Sequence, residues 1–202
     1  LKGVQNVIEH FGGVHNIEMA RLWSSKKLLI VEGKDDVNIL KILQDKILPS
    51  SNEPFDIIPK VSVRGWGGWS YAVGSKMLLK STIESVNVYC IFDSDYFPDD
   101  VIEERKKEAK KNDINLKIWK KKEIENYFLS PELIFRYISA SATRKDIKIH
   151  DIVNKLSELV EDMKDDIFDA ISNQYRHVHK DKADSSNKHA REIIDDNATI
   201  FL

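Results

Sequence analysis

The sequence predicts an α/β fold in which a parallel β-sheet is flanked by helices and followed by a C-terminal helical extension. Two observations predict it. Compact apolar segments rich in branched side chains alternate with segments of helical periodicity as far as about residue 120, and beyond Ser130 the strand signals cease while helical spacing persists. Parallel strands require crossover connections, which are usually helices, so this alternation argues for a sheet covered by helices.

Each element has its own warrant. Lys26 to Gly33 (KKLLIVEG) is a run of apolar residues ending in glycine, as expected of a buried strand and a turn. Asp36 to Leu48 carries Val37, Leu40, Leu43 and Ile47 at helical spacing, and Pro49, Ser50 and Ser51 stop it. Phe55 to Val63 reads as a second strand whose Pro59, near its middle, places it at an edge or a bulge. The glycine-dense loop Arg64 to Trp69 follows, then a helix from Tyr71 to Ile83 through Val73, Met77 and Leu78. Asn87 to Phe92 is a third strand, Asp99 to Lys111 a charged helix opened by an aspartate cap, and Leu116 to Trp119 a short fourth strand. In the second half Ser130 caps a helix starting at Pro131, and Ile147 to Ile171 carries Ile152, Leu156, Leu159, Val160, Met163, Ile167 and Ile171. Ser172 to Asn187 is polar, and a last short helix is expected from Lys188 to Asp195.

A chain of 202 residues can bury one good core with a smaller appendage, since domains typically run to about 100–150 residues. The organisation read from the pattern is a helical lead-in over 1–25, an α/β domain over 26–130 and a helical extension over 131–202. Apolar content of 42% beside 32% charged residues marks a folded chain rather than a disordered one. No apolar stretch approaches the ~20 residues of a membrane span, and no leader peptide pattern opens the chain. The lone Cys90 lies in an apolar run and has no partner for an internal disulfide, which suits a reducing cytoplasm. Because the chain opens on Leu1 and its first segment has no start signal of its own, it is expected to be part of a longer protein. The net charge of −2 gives no overall attraction to nucleic acid, so the local distribution of charge matters.

Two acidic clusters follow strands: Glu32 with Asp35 and Asp36, then Asp93 with Asp95. Ligands of open α/β sheets bind outside the carboxyl ends of the strands, which is where both clusters fall. If extended, Asp93 and Asp95 project to one side, while Glu32 and Asp36 are about one helical turn apart. Four such carboxylates would repel unless a cation neutralised them, and hard oxygen ligands select Mg²⁺ or Mn²⁺. Acidic residues at strand ends also commonly cap the next helix or face water.

The segment LLIVEGKDD resembles the first motif of the TOPRIM superfamily, a hydrophobic strand ending in Glu-Gly with an Asp beyond it, and VYCIFDSD resembles the second, a strand ending in Asp-x-Asp. KKKEIENYFLS is similar to the segment that follows the TOPRIM core in OLD-family nucleases. The resemblance covers about residues 26 to 130. It implies a Mg²⁺- or Mn²⁺-dependent endonuclease using two ions, with Glu32, Asp36, Asp93 and Asp95 as metal ligands and Glu123 or Glu125 helping to hold the second. Two ions clamp a scissile phosphate, one activating water and the other stabilising the leaving oxygen. A downstream basic residue of the family that aids the transition state has Lys188 as its candidate, with Lys180 and Lys182 close by. The resemblance also implies an ATPase region upstream, DNA as the partner and homodimerisation. In one respect the sequence departs from the family: Tyr96-Phe97-Pro98 stands where Asp-x-Asp-x-x-Gly would end in glycine, so the loop should differ in shape.

Basic residues dominate Arg105 to Lys122. Arg105 to Lys111 reads as a solvated helix face, whereas Lys120, Lys121 and Lys122, with Arg64, are the candidate nucleic-acid contacts. In the Arg64 to Trp69 loop, backbone amides could approach a phosphate and Trp66 could stack on a base. His177, His179 and His189 lack zinc-ligand spacing and read as exposed bystanders, and no P-loop pattern occurs. Two other functions compete. Ile91-Phe92-Asp93-Ser94-Asp95 also resembles the nucleophile motif of haloacid-dehalogenase phosphatases, though there it lies on the first strand and Phe97 departs from the Thr or Val expected. The other is a non-catalytic module binding nucleic acid or a partner.

Overall fold

A computed structural model describes residues 17–49, 54–141 and 146–196. The chain divides into two compact units, one formed by Leu1–Phe92 with Arg105–Ile118, the other by Asp93–Glu104 with Trp119–Leu202.

The first unit is the α/β half. A first helix, α1, covers 17–25. Strands β1 (Lys27–Val31), β2 (Lys60–Ser62), β3 (Asn87–Phe92) and β4 (Ile114–Ile118) form one sheet in the order β2-β1-β3-β4, all parallel. Helices α2 (Lys34–Ile47), α3 (Trp69–Thr82) and α4 (Asp99–Lys111), of which the first unit holds the part from Arg105 on, make the three crossovers. Alternate residues Leu28 and Ile30 of β1, Val88, Cys90 and Phe92 of β3 and Ile114 of β4 join Trp69, Ala72 and Leu79 of α3 and Ala109 of α4 in the core. Leu29 and Val31 are buried as well. Burial on both faces is why this strand reads as a continuous apolar run rather than an alternating one.

Two strands differ from the sequence expectation. The second is shorter, because Phe55–Ile57 forms a 3-10 turn held by the Phe55 N–H on Gln44 Oε1 at 2.8 Å and by Lys60 Nζ on Ile58 O at 2.7 Å. Pro59 therefore precedes the strand instead of interrupting it, and its carbonyl accepts the Leu29 N–H at 3.0 Å. β2 is an edge strand, where the missing N–H of a proline costs nothing. The fourth strand begins earlier, at Ile114, and leaves Trp119 outside it. The stop at Ser50 and Ser51 and most of the expected lead-in lie outside the described residues.

The second unit contains α5 (Pro131–Ser141), α6 (Ile149–Asp162), α7 (Lys164–Val178) and α8 (Ser186–Asp196). Ser130 caps α5 as expected, its Oγ accepting the Leu133 N–H at 3.2 Å. The single apolar run from Ile147 to Ile171 is two helices meeting at Met163, with Asp165 and Asp166 in the first turn of α7 where negative charge suits a helix N-terminus. The polar segment 172–187 is largely helical: α7 continues to Val178, Lys180–Ser185 is a 3-10 turn and α8 starts at Ser186. Polar side chains pack it. Ser172 and Ser186 are 2% and 1% exposed, Ser172 Oγ donates to Asn187 Oδ1 at 2.8 Å, and Arg176 Nε donates to Ser186 Oγ at 2.8 Å. No hydropathy period could show that. Ile171, Ala190 and Ile194 form the adjoining apolar cluster, with Tyr96 packed against it. Among the described residues no helix is long and apolar enough to cross a membrane.

One buried charge joins α3 to two turns of the first unit. Lys76, 5% exposed, donates to Val86 O at 2.8 Å and pairs with Asp113 Oδ2 at 2.9 Å. The hydrogen bond from Lys76 and its charge hold the Asp113 carboxyl below its ordinary range. Lys76→Met, which keeps the stem and strands the Val86 carbonyl, should destabilise the chain by about 1–3 kcal/mol in urea denaturation. Because the Asp113 pKa is depressed on folding, its contribution is present above pH 3.8 and fades as pH falls through the lowered value. The stability gap between the protein and Asp113→Asn should close over that acidic window.

Candidate functional site

In the first unit, Glu32 leaves the end of β1 and α2 begins two residues later, at Lys34, with Gly33 as its N-cap. Glu32 thus stands before the helix rather than one turn from Asp36 along it, which corrects the expected helical spacing. Asp36 is buried and its Oδ2 accepts the Gly33 N–H at 2.7 Å, so it caps its own helix. The glycine-dense loop passes close to Glu32. The Arg64 N–H donates to Glu32 O at 3.0 Å, and at Gly65, with φ 76°, a Cβ would lie 3.5 Å from Glu32 Oε2. Arg64 is exposed, with φ 52°.

Trp66 is not available for base stacking as the sequence suggested. It is 7% exposed, and the Arg105 guanidinium lies over both Trp66 and Trp69, 5.4 and 5.0 Å from the ring centres. Arg105 is accordingly a packing residue, not part of a solvated face. Gly68 has a steric reason: a Cβ there would come within 2.3 Å of Val63 Cβ.

In the second unit the Asp-x-Asp segment and the Lys-Glu-Ile-Glu-Asn segment are bonded together. The Ile124 N–H donates to Asp93 Oδ1 at 3.1 Å, the Ser94 and Asp95 N–H groups donate to Lys122 O at 3.0 and 3.3 Å, and Ser94 Oγ donates to Lys121 O at 3.0 Å. The segment is not extended. Asp95 and Tyr96 both have left-handed backbones, φ 47° and 58°, so Asp93 and Asp95 do not share the geometry of alternate strand residues. The shape expected to differ for want of a glycine is thus a turn carried by two non-glycine residues, tied down by Lys122 O and by Phe97 N–H on Ser94 O at 2.8 Å.

Charge is tightly balanced here. Burial, opposed by Lys122 and reinforced by Glu123, lifts the Asp95 carboxyl above its ordinary range. Burial alone would lower the Lys122 ammonium, but its hydrogen bond with Glu123 and the nearby Asp95 outweigh it and hold the pKa up. Glu123 is therefore ion-paired with Lys122, while its N–H donates to Asn126 Oδ1 at 3.0 Å. Asn126 was not singled out from sequence, and its place in the Glu-Asn-Tyr segment is the signal that could have found it. Glu125 is exposed on the 3-10 turn Ile124–Phe128. Lys188 lies exposed on α8, 3.8 Å from Glu192. Among the described residues no three His, Cys, Asp or Glu side chains are gathered so as to hold a metal ion. No family model, curated protein or solved structure matches the chain.

Two of the three histidines are not bystanders. Tyr175 lies between His179 and His189, at 4.6 and 4.4 Å between ring centres, and His179 Nε2 is 3.2 Å from Asp100. His189 Nε2 is buried without a hydrogen-bond partner, and burial lowers its pKa below 6.5 despite the opposing charges of Glu192, Asp100 and Asp99.

Two outcomes follow from these contacts. Gly68→Ala should destabilise the first unit by about 1–3 kcal/mol, measured by chemical denaturation, since the new methyl meets Val63. The His189 proton is bound more readily by the unfolded chain, so folding stability should be full above pH 6.5 and fall as pH drops below it. His189→Phe, which keeps a ring on Tyr175, should flatten that part of the melting-temperature profile.

Proposed function

We propose that the chain is a TOPRIM-type endonuclease domain of the OLD-family kind, hydrolysing DNA phosphodiesters with Mg²⁺ or Mn²⁺ and working in the cytoplasm. The observation that carries the reading is the strand register. β1 and β3 are adjacent and parallel with Val31 opposite Ile91, and the chain leaving each at its carboxyl end is acidic. This is the edge of an open α/β sheet at which ligands bind. A second support is the bonding of Asp93 and Ser94 to residues 121–124, which brings the second and third motifs together. The ATPase region, the homodimer and the two-ion stoichiometry belong to the same proposal.

The donor set is carboxylate oxygen throughout, which suits a hard divalent cation; the ligands the proposal assigns are Glu32 and Asp36 of the first unit and Asp93, Asp95 and Glu123 or Glu125 of the second. When bound, such an ion supplies Lewis-acid stabilisation to a phosphodiester under attack by water. The chain's own residues do the rest. Asp93 is oriented by the Ile124 N–H, and Asp95 is kept in a partly buried turn where burial disfavours its charge. Lys122 and Glu123 neutralise each other until either is drawn away. Asp36 uses one oxygen on Gly33, and a carboxylate has further lone pairs to offer. Lys188 remains the candidate for transition-state support, and Lys120, Lys121 and Arg64 for the phosphate backbone.

The absence of three gathered carboxylates among the described residues favours a second reading, a binding module without catalysis. Nicking of supercoiled plasmid with Mg²⁺ or Mn²⁺ separates the two. The protein should nick, with Glu32→Ala and Asp93→Ala each lowering the rate on the order of 100-fold or more. Mg²⁺ should also raise the melting temperature of the protein but not that of Asp93→Asn, because an ion bound only to the native state stabilises it. No nicking together with no ion binding in calorimetry would overturn the nuclease reading and favour the binding module.

A further inference from the structure

We infer that the exposed surface from Trp119 to Phe128 is a stacking platform for an unpaired nucleic-acid strand. The inference rests on the reading that this protein meets nucleic acid, and it specifies which form. The turn Ile124–Phe128 is anchored by the buried Ile124, while Tyr127 and Phe128 stand 39% and 42% exposed. The two exposed rings are consecutive in the chain, and the Tyr127 ring is also held still. Its phenol oxygen accepts the Lys120 N–H at 3.0 Å and the Lys121 N–H at 3.4 Å. Trp119 meets it edge-on with ring centres 5.6 Å apart. Lys121 Nζ lies 5.7 Å from its centre while donating to Asn126 O at 3.1 Å. A ring ordered in advance loses little entropy when a ligand settles on it.

The charge around the rings selects the ligand. Lys122 is engaged by Glu123, but Lys120 is exposed and Lys121 sits over the ring, so cationic groups border the aromatic surface. Rings bordered by lysines match a polymer that alternates flat bases with phosphates. A duplex offers phosphates but hides the faces of its bases, so only an unpaired strand can use both. The surface adjoins the Asp93–Asp95 segment, because from the same stretch the Ile124 N–H donates to Asp93, the Lys121 carbonyl accepts from Ser94 and the Lys122 carbonyl accepts from Ser94 and Asp95.

The test is fluorescence anisotropy in EDTA, where binding is read without cleavage, using a labelled oligothymidylate and a duplex of the same length. The protein should bind the single strand at least ~10-fold more tightly than the duplex. Tyr127→Ala and Phe128→Ala should each weaken single-strand binding by roughly 5- to 100-fold, the cost of about 1–3 kcal/mol for a lost stacking ring. Duplex binding should change less than about twofold, because phosphate contacts persist. Phe128→Leu, which keeps bulk without a π face, should behave like Phe128→Ala. Tyr127→Phe should retain most of the affinity, and circular dichroism should show each variant folded. Lys120→Ala should weaken both ligands and reduce the salt slope by roughly 0.7–0.9. Equal losses on both ligands, or none in either aromatic variant, would overturn the inference and leave the surface to a protein partner. Failure of plasmid nicking would leave this measurement standing, since it requires neither a metal nor catalysis.

Discussion

The pairing of β1 with β3 is the constraint on which the rest depends. Five consecutive parallel pairs run from Lys27 opposite Asn87 to Val31 opposite Ile91. Ile30, Val31, Val88 and Cys90 within it are fully buried, while Asn87 and Tyr89 of β3 are exposed. A slip of one residue would send Leu28 and Ile30 away from Trp69 and Leu79 and turn Leu29 and Val31 toward them. It would also change which residues stand at the carboxyl ends. The positions of Glu32 and Asp93 beyond their strands are thus set by apolar packing several residues away. Neither carboxylate is part of that packing, since Glu32 and Asp93 lie outside the apolar cluster.

Much of this was legible in the amino-acid sequence, for identifiable reasons. β3 and α4 have the bounds read from the pattern, because a branched apolar run and an aspartate-opened charged helix are strong local signals. Parallel order followed from alternation. What was hidden depended on contacts distant in sequence. Trp66 reads as a free ring until Arg105 is found above it, 39 positions on. The segment 172–187 reads only as polar because serine, asparagine and arginine, not apolar residues, pack it. The turn at Asp95 and Tyr96 was invisible because tyrosine does not favour a left-handed backbone, and carbonyl acceptance by Lys122, distant in sequence, keeps it there.

The candidate residues differ in what else holds them. Asp36 has a structural task as a helix cap, Glu123 has a lysine, and Asp93 has a backbone N–H. Asp95 differs, since burial disfavours its charge and its backbone conformation is uncommon for a residue with a side chain. Native chains tolerate such costs mostly where a group has work beyond folding. Tyr96 shares the turn and contributes its ring to the cluster of Ile171 and Ile194, which offsets part of the cost.

The single cysteine of the chain, Cys90, lies in the middle of that ladder, fully buried, with its thiol pushed up to about 12 by burial. A thiol so placed does not react with alkylating reagents while the sheet is closed, because the thiolate is the reactive form. The protein therefore carries its own silent background for site-directed labelling. A cysteine introduced at an exposed position, such as Tyr137 or Ser70, could take a fluorophore or spin label with the native thiol left in place. Conversely, the rate at which unmodified Cys90 is alkylated becomes a clock for the opening of the sheet itself, readable by mass spectrometry without any added probe.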